Sequence, residues 1–117
     1  MESNKSKYFN FEKLKSKSNI WKGEINKVFH TSNLTIMSFK IKKGVKFDDK
    51  GHKSEQITIL LKGKFKFYIG NETKIMEKND AVFIASGDNH GGEALTDIEG
   101  FDVFYPKRDE KQYNDLN

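Results

Sequence analysis

From Asn26 to Tyr105 the chain keeps one rhythm, short runs with apolar residues at every second position, cut at roughly regular intervals by turn-forming Gly, Asn, Asp and Lys. A period of two is the signature of a strand with one buried face, and a helix cannot satisfy it. The pattern predicts strands over Asn26–Phe29, Leu34–Ile41, Lys64–Ile69, Thr73–Met76, Ala81–Ala85, Ala94–Leu95 and Gly100–Tyr105. Turns are expected at His30-Thr31-Ser32-Asn33, Lys42-Lys43-Gly44, Lys62-Gly63, Gly70-Asn71-Glu72 and Lys78-Asn79-Asp80, with a Gly-rich loop over Ser86–Gly92. Gln56–Leu61 (QITILL) is apolar on both faces and predicts a strand packed on two sides. About eight short strands with no helix in the body favour an all-β sandwich or barrel over any βαβ fold. Closing the sheets on themselves also removes the exposed edges that invite aggregation.

At 117 residues there is room for one domain, and ten Phe, four Tyr and one Trp can fill its core. Residues 1–19 are polar, with Tyr8, Phe9, Phe11 and Leu14 as anchors, and read as an N-terminal arm pinned at one or two positions. The barrel domain is expected over 20–106, followed by a charged tail over 107–117 that frays. Cysteine is absent, which excludes disulfide scaffolds and thiolate chemistry. No apolar run approaches the ~20 residues of a membrane helix, and Met1–Asn4 has no signal-peptide core, so a cytoplasmic protein without membrane contact is expected. The net charge is +4, yet the lysines are interleaved with 17 acidic residues and form no stripe, so no nucleic-acid partner is expected.

Two segments carry the chemistry. The first, Gly44 to Gly63, holds Lys50-Gly51-His52 and Glu55-Gln56; the second, Asn79 to His90, ends Ala85-Ser86-Gly87-Asp88-Asn89-His90. Their spacing resembles the two motifs of the cupin superfamily, with Gly44, His52, Gly63, Gly87 and His90 falling on family positions. The resemblance implies a double-stranded β-helix, that is a jelly-roll barrel, whose mouth holds a ligand, often with a divalent metal. Cupins typically hold that metal with two His and a Glu from the first motif and a His from the second. Here Lys50 stands at the first His position, Gln56 at the Glu, Ala85 at the Pro and Asn79 at the opening Gly. The implied metal ligands are His52, Gln56 and His90.

A protonated lysine has no lone pair, so Lys50 repels a cation. Two alternatives stand at this point. Three neutral ligands could hold Zn, Ni, Mn or Fe, with Asp48 or Asp49 swinging in as a fourth. Otherwise the pocket is metal-free and Lys50 itself supplies positive charge to bind an anionic ligand. His30, in a turn without a partner motif, reads as a structural histidine, and Gly87, Gly91 and Gly92 as turn residues needing positive φ.

A third segment, Gly92–Lys111 with Asp102-Val103-Phe104-Tyr105-Pro106-Lys107-Arg108, looks like the ending of small single-domain cupins linked to pectin degradation. Those open the ring of 4,5-unsaturated uronates. Asp102 and Phe104 share one strand face by period two, so both can point into the barrel. Arg108, the one Arg in the chain, can hold a carboxylate bidentately where Lys cannot. Asp102 beside an apolar ring can have the raised pKa of a general acid or base. The plainer alternative makes this stretch the last strand, with Arg108 paired to Asp109 or Glu110. The resemblance implies a small polar or carboxylated, sugar-like ligand bound by Lys50, Phe104 and Arg108. Asp102 and Arg108 would then be catalytic in a metal-assisted lyase or isomerase. The rival is a non-catalytic binding or sensor cupin with a decayed metal site. A homodimer is expected, because the QITILL strand carries more apolar surface than so small a barrel can cover.

Overall fold

The computed structural model describes residues 2–3, 5–15 and 23–109. Ten strands form, eight of them on the predicted runs with shifted bounds and two, β1 and β4, where none was predicted: β1 (Glu2–Ser3), β2 (Glu24–Thr31), β3 (Thr35–Ile41), β4 (Lys46–Asp49), β5 (Glu55–Lys62), β6 (Phe65–Ile69), β7 (Glu72–Met76), β8 (Ala81–Ile84), β9 (His90–Ala94) and β10 (Ile98–Tyr105). One 3-10 turn, Phe11–Lys13, is the helical element among the described residues. A six-stranded sheet in the order β1-β2-β3-β10-β5-β8 faces a four-stranded sheet in the order β4-β9-β6-β7. Apart from the parallel β1–β2 pair, every pairing is antiparallel. The result is the expected jelly-roll barrel.

The core is filled from both sheets. Phe39, Ile41, Leu60, Ile84 and Ile98 from the six strands meet Phe65, Phe67, Met76 and Ala94 from the four. Burying each large side chain of this kind contributes roughly 1.5–3 kcal/mol. A second, smaller cluster of Val28, Met37 and Phe104 lies apart from it. The inward faces of β2, β5 and β10 also carry polar residues. Glu24, Asn26, His30, Gln56, Thr58 and Asp102 are all buried. Buried polar groups cost free energy unless paired, so their position next to the apolar core needs a chemical reason.

Four local expectations are corrected. His30 lies within β2 rather than in a turn, and is wholly buried, because the alternation of Glu24, Asn26 and Val28 continues through it. QITILL is packed on one side only. Gln56, Thr58 and Leu60 face inward, while Ile57 and Leu61 are 44% and 42% exposed. The Gly-rich loop ends earlier than predicted, since His90, Gly91 and Gly92 belong to β9. Positive φ is needed at Gly87 but not at Gly91 or Gly92. Those two are small for another reason: an added Cβ would come within 2.4 Å of the Phe47 carbonyl oxygen at Gly91 and 2.6 Å of the Lys66 carbonyl oxygen at Gly92. The strand approaches its neighbours too closely for any side chain.

The described part of the N-terminal arm lies on the outer face of the six-stranded sheet. Phe9 stacks on Phe29 at 3.9 Å between ring centroids, and Phe11 meets Phe101 edge-on at 5.0 Å. Asn10 caps the 3-10 turn by accepting from the Glu12 backbone N–H. At the other end, residues 107–109 of the expected tail return to the barrel, with the Arg108 backbone N–H donating to Thr35 Oγ1 at 2.8 Å. The predicted fraying falls on 110–117, outside the described residues.

Candidate functional site

Strand register assembles the site. β4 pairs with β9 so that Asp49 lies opposite His90, and β5 pairs with β10 so that Gln56 lies opposite Phe104 and Thr58 opposite Asp102. His52 comes from the loop between β4 and β5. That loop is clamped to the β8–β9 loop, because the Gly87 N–H donates to the His52 carbonyl at 2.8 Å. Gly51 (φ +114) makes the approach possible, since a Cβ there would sit 2.4 Å from the Gly87 carbonyl oxygen. Both imidazoles therefore meet in one cavity, with ring centroids 5.1 Å apart. Gln56, Thr58, Asp102, Phe104 and Arg108 line the same space, as do Asp49 and Glu24.

Lys50 does not join them. Its side chain is 91% exposed and pairs with Asp48 at 3.4 Å. The cause is strand parity: along β4, Phe47 and Asp49 turn inward, so Asp48 and Lys50 turn out. The idea of Lys50 as the pocket's positive charge is thereby withdrawn, and Asp49 occupies the cavity in its place.

Backbone carbonyls set the imidazole tautomers. His52 Nδ1 lies 2.7 Å from the Ser54 carbonyl oxygen, and His90 Nδ1 lies 3.0 Å from that of Asp88. A carbonyl only accepts, so each Nδ1 carries a proton, which leaves Nε2 as the nitrogen able to serve as a ligand. Burial, followed by the positive charge of Arg108, holds the His52 pKa below its usual value, which keeps that ring neutral.

Gln56 is oriented as firmly. Its amide nitrogen donates to Thr58 Oγ1 at 2.8 Å and to Asp102 Oδ1 at 3.2 Å, so its Oε1 must face His52 Nε2, 3.0 Å away. With His52 neutral, two lone pairs then point at each other across that gap. A divalent cation held by both atoms would remove the repulsion. One donor atom from each of Asp49, His52 and His90 also lies within 4.8 Å of the other two. One carboxylate, two imidazoles and an amide oxygen suit a first-row divalent metal. The residues present fit such an ion, and His52, Gln56, His90 and Asp49 would hold it.

Behind this group lie two acids. Asp102 accepts from the Thr58 hydroxyl at 2.6 Å, and burial pushes its pKa from 3.8 up to about 6. Glu24 is raised further, from 4.5 to about 7, by burial and to a lesser degree by the charge of Asp102. Its Oε1 is inaccessible and has no hydrogen-bond partner among the described residues. At the mouth, the Arg108 guanidinium lies over the Phe104 ring at 5.1 Å and donates weakly to Ser54 Oγ at 3.4 Å. The enclosed space is about 50 Å³, enough for a few atoms of a ligand.

A family model for the cupin domain matches residues 37–104. That stretch is more than half of the chain. The chain belongs to the cupin family. No curated protein matches it. Among solved structures, this cupin is similar to an RmlC-like cupin from Shewanella frigidimarina (TM-score 0.80, 21% identity, covering 90% of this chain and 96% of that one). It is also similar to KdgF from Halomonas sp. (TM-score 0.80, 23% identity, 89% and 98% covered). Ectoine synthase from P. lautus shares the fold at TM-score 0.81 and 14% identity, with 96% and 86% covered. Among the described residues of the cupin, no helix is long and apolar enough to cross a membrane.

Sequence reasoning missed Glu24 and Thr58 in this cupin and held Asp49 only as an alternative to Asp48. The missing signal was available in two places. Glu24, Asn26 and His30 put polar residues at three of the four inward positions of β2, Val28 being the fourth, and Gln56 and Thr58 do the same at successive inward positions of QITILL.

Proposed function

We propose that this cupin binds a small carboxylated, sugar-like molecule at the mouth of its barrel. There it would act as a metal-assisted lyase or isomerase on a carbohydrate derivative in the cytoplasm. The observation that carries the reading is the opposed pair His52 Nε2 and Gln56 Oε1, 3.0 Å apart, in a cavity that also holds His90, Asp49 and Asp102. A divalent cation there would polarise a carbonyl or hydroxyl oxygen of the ligand. The remaining roles belong to the chain itself. Arg108, stacked on Phe104, pairs with the ligand carboxylate. Asp102, with a pKa near 6, takes or gives a proton close to neutral pH. The apolar Phe104 and Met37 beside it keep bulk water away.

The ending Asp102-Val103-Phe104-Tyr105-Pro106-Lys107-Arg108 and the likeness to KdgF support 4,5-unsaturated uronates as substrates, opened at the ring. Incubation with the 4,5-unsaturated galacturonate monomer, followed by loss of its ultraviolet absorbance, tests this. Turnover abolished in Arg108→Lys and His90→Ala is the expected result; absence of both turnover and binding removes the proposal.

A second reading, a binding or sensor cupin without catalysis, is favoured by Lys50 at the first His position of the cupin metal motif, where its exposed side chain pairs with Asp48 and supplies no ligand. Metal analysis after purification without chelator separates the two. A stoichiometric metal that is lost in His90→Ala supports the enzyme.

A homodimer is part of the proposal. Ile57, Leu61, Phe83 and Tyr105 stand 42–56% exposed on the outer face of the six-stranded sheet. Such an apolar face is typical of interaction surfaces. Elution at twice the chain mass, reverting to one chain mass in Phe83→Lys, is the expected outcome.

A further inference from the structure

We infer that Thr35, held by His30, is a positioning residue for Arg108, and thereby decides whether the mouth of the cavity can hold an anion. The inference rests on the proposed role of Arg108 toward a ligand carboxylate. Arg108 lies beyond the last strand, and its guanidinium reaches the cavity only because the chain returns after Pro106 and docks on the barrel. A backbone hydrogen bond ties that return to the barrel: the Arg108 N–H donates to Thr35 Oγ1 at 2.8 Å. Thr35 opens β3 and lies between two partners in register, His30 on β2 and Phe104 on β10. Its side chain faces inward, wholly buried, and its hydroxyl lies 2.7 Å from His30 Nδ1, which is equally buried.

This arrangement fixes a hydroxyl that would otherwise rotate. The imidazole and the Arg108 N–H together leave Thr35 Oγ1 one direction, and no water can substitute where exposure is 0%. The guanidinium end is then located by the Phe104 face and by Ser54 Oγ. Ser54 in turn meets His52 Nδ1 through both its carbonyl and its hydroxyl, at 2.7 and 3.3 Å. A continuous path of contacts therefore runs from His30 through Thr35, Arg108 and Ser54 to the imidazole of His52. None of these contacts was visible in the sequence, where His30 read as a turn residue 78 positions from Arg108.

The test uses the full chain and D-galacturonate, an anionic sugar without the 4,5 double bond. Thr35→Val keeps the shape of the side chain and removes the acceptor; Thr35→Ser keeps the acceptor. Two quantities are read: the exchange rate of the Arg108 backbone amide by NMR, and the galacturonate dissociation constant. Thr35→Val is expected to speed exchange at Arg108 and to weaken galacturonate by ~10-fold, the equivalent of one good hydrogen bond. Thr35→Ser restores both. Thr35→Val combined with Arg108→Lys is no weaker than Arg108→Lys alone, because the two act through one group. The inference is overturned if Thr35→Val frees the amide yet binds galacturonate like the wild type. It is equally overturned if exchange speeds up across the whole barrel, which would make Thr35 a general stabiliser. Should the wild type itself not bind galacturonate, the carboxylate reading of Arg108 falls, and the amide exchange alone still decides whether Thr35 holds the segment.

Discussion

Gln56 gives its amide nitrogen to Asp102 at 3.2 Å, and that bond determines the face its oxygen presents. An acid on β10 thus helps to fix the donor set in the cavity through its bond to Gln56. The arrangement links the two halves of the candidate chemistry. The group suited to moving a proton is also the group that turns Gln56 Oε1 toward His52 Nε2.

Removing the acceptor at 102 should therefore loosen Gln56 and, through it, the donor set around His52. Asp102→Ala leaves the Gln56 amide free to flip, and we expect zinc affinity to fall by ~10–100-fold, the usual effect of losing a group that orients a ligand. Asp102→Asn can still accept from Gln56 and should stay within a factor of ~3. Calorimetric titration of the metal-stripped protein reads both. Equal affinity in Asp102→Ala and the wild type would show that Gln56 is oriented by Thr58 alone.

The parity of β4 makes a sharp contrast between neighbours. Asp49→Ala should lower metal content after dialysis to well under one equivalent, because it deletes the one carboxylate among the candidate ligands. Lys50→Ala should leave the content unchanged, since its ammonium lies outside the cavity. Elemental analysis of the two variants side by side decides. A drop in Lys50→Ala would restore the role that the structure removes from it.

The barrel was largely legible because alternation is a local signal that tertiary context did not override. His52, Gln56, His90, Asp102, Phe104 and Arg108 line one cavity, and all six were singled out in the sequence through its resemblance to the cupin motifs and to the ending of the pectin-linked cupins, with strand parity in support for Asp102 and Phe104. Lys50 was misplaced because motif spacing assigns a position and not a direction. The turn of Asp49 inward and Lys50 outward depends on where β4 begins, and element boundaries are the weakest part of a sequence reading. QITILL misled for a related reason: apolar composition on both faces says nothing about which face another layer covers, and here Ile57 and Leu61 face outward. Glu24 was out of reach for a third reason. Its burial depends on β2 starting two residues before the predicted run, and only the barrel's closure puts it beside the cavity holding Asp102.

Gly91 and Gly92 separate a steric requirement from a conformational one. At Gly91 a methyl group would meet the Phe47 carbonyl oxygen at 2.4 Å and the Tyr68 hydroxyl at 2.5 Å, whereas at Gly44 nothing lies within 4 Å. Gly91→Ala should cost about 1–3 kcal/mol by forcing β9 away from β4. Because that strand carries His90 opposite Asp49, metal affinity should fall as well. Urea unfolding and zinc titration on the same variant measure the two effects. Wild-type values in both would mean that β9 can shift without disturbing the site.

The two buried acids predict an unusual dependence of stability on pH. A carboxyl whose pKa is raised by folding stabilises the native state fully below its unfolded value, and that contribution is lost as pH rises through the folded one. For Asp102 the window runs from 3.8 to about 6, and for Glu24 from 4.5 to about 7. Each amounts to about 3 kcal/mol at one group, and the pair to less than twice that, because part of the Glu24 shift is repulsion from Asp102. His52 works in the opposite direction. Its lowered pKa adds stability above its unfolded value of 6.5 and loses it as pH falls. The metal-stripped protein should thus weaken steadily from pH 4 to 7 in urea titrations, against the common trend of acid destabilisation. Glu24→Gln, which cannot ionise, should flatten the upper part of that slope, and Asp102→Asn the lower part. An unchanged slope in Glu24→Gln would mean that its carboxyl is solvated in solution and plays no part in the interior of the barrel.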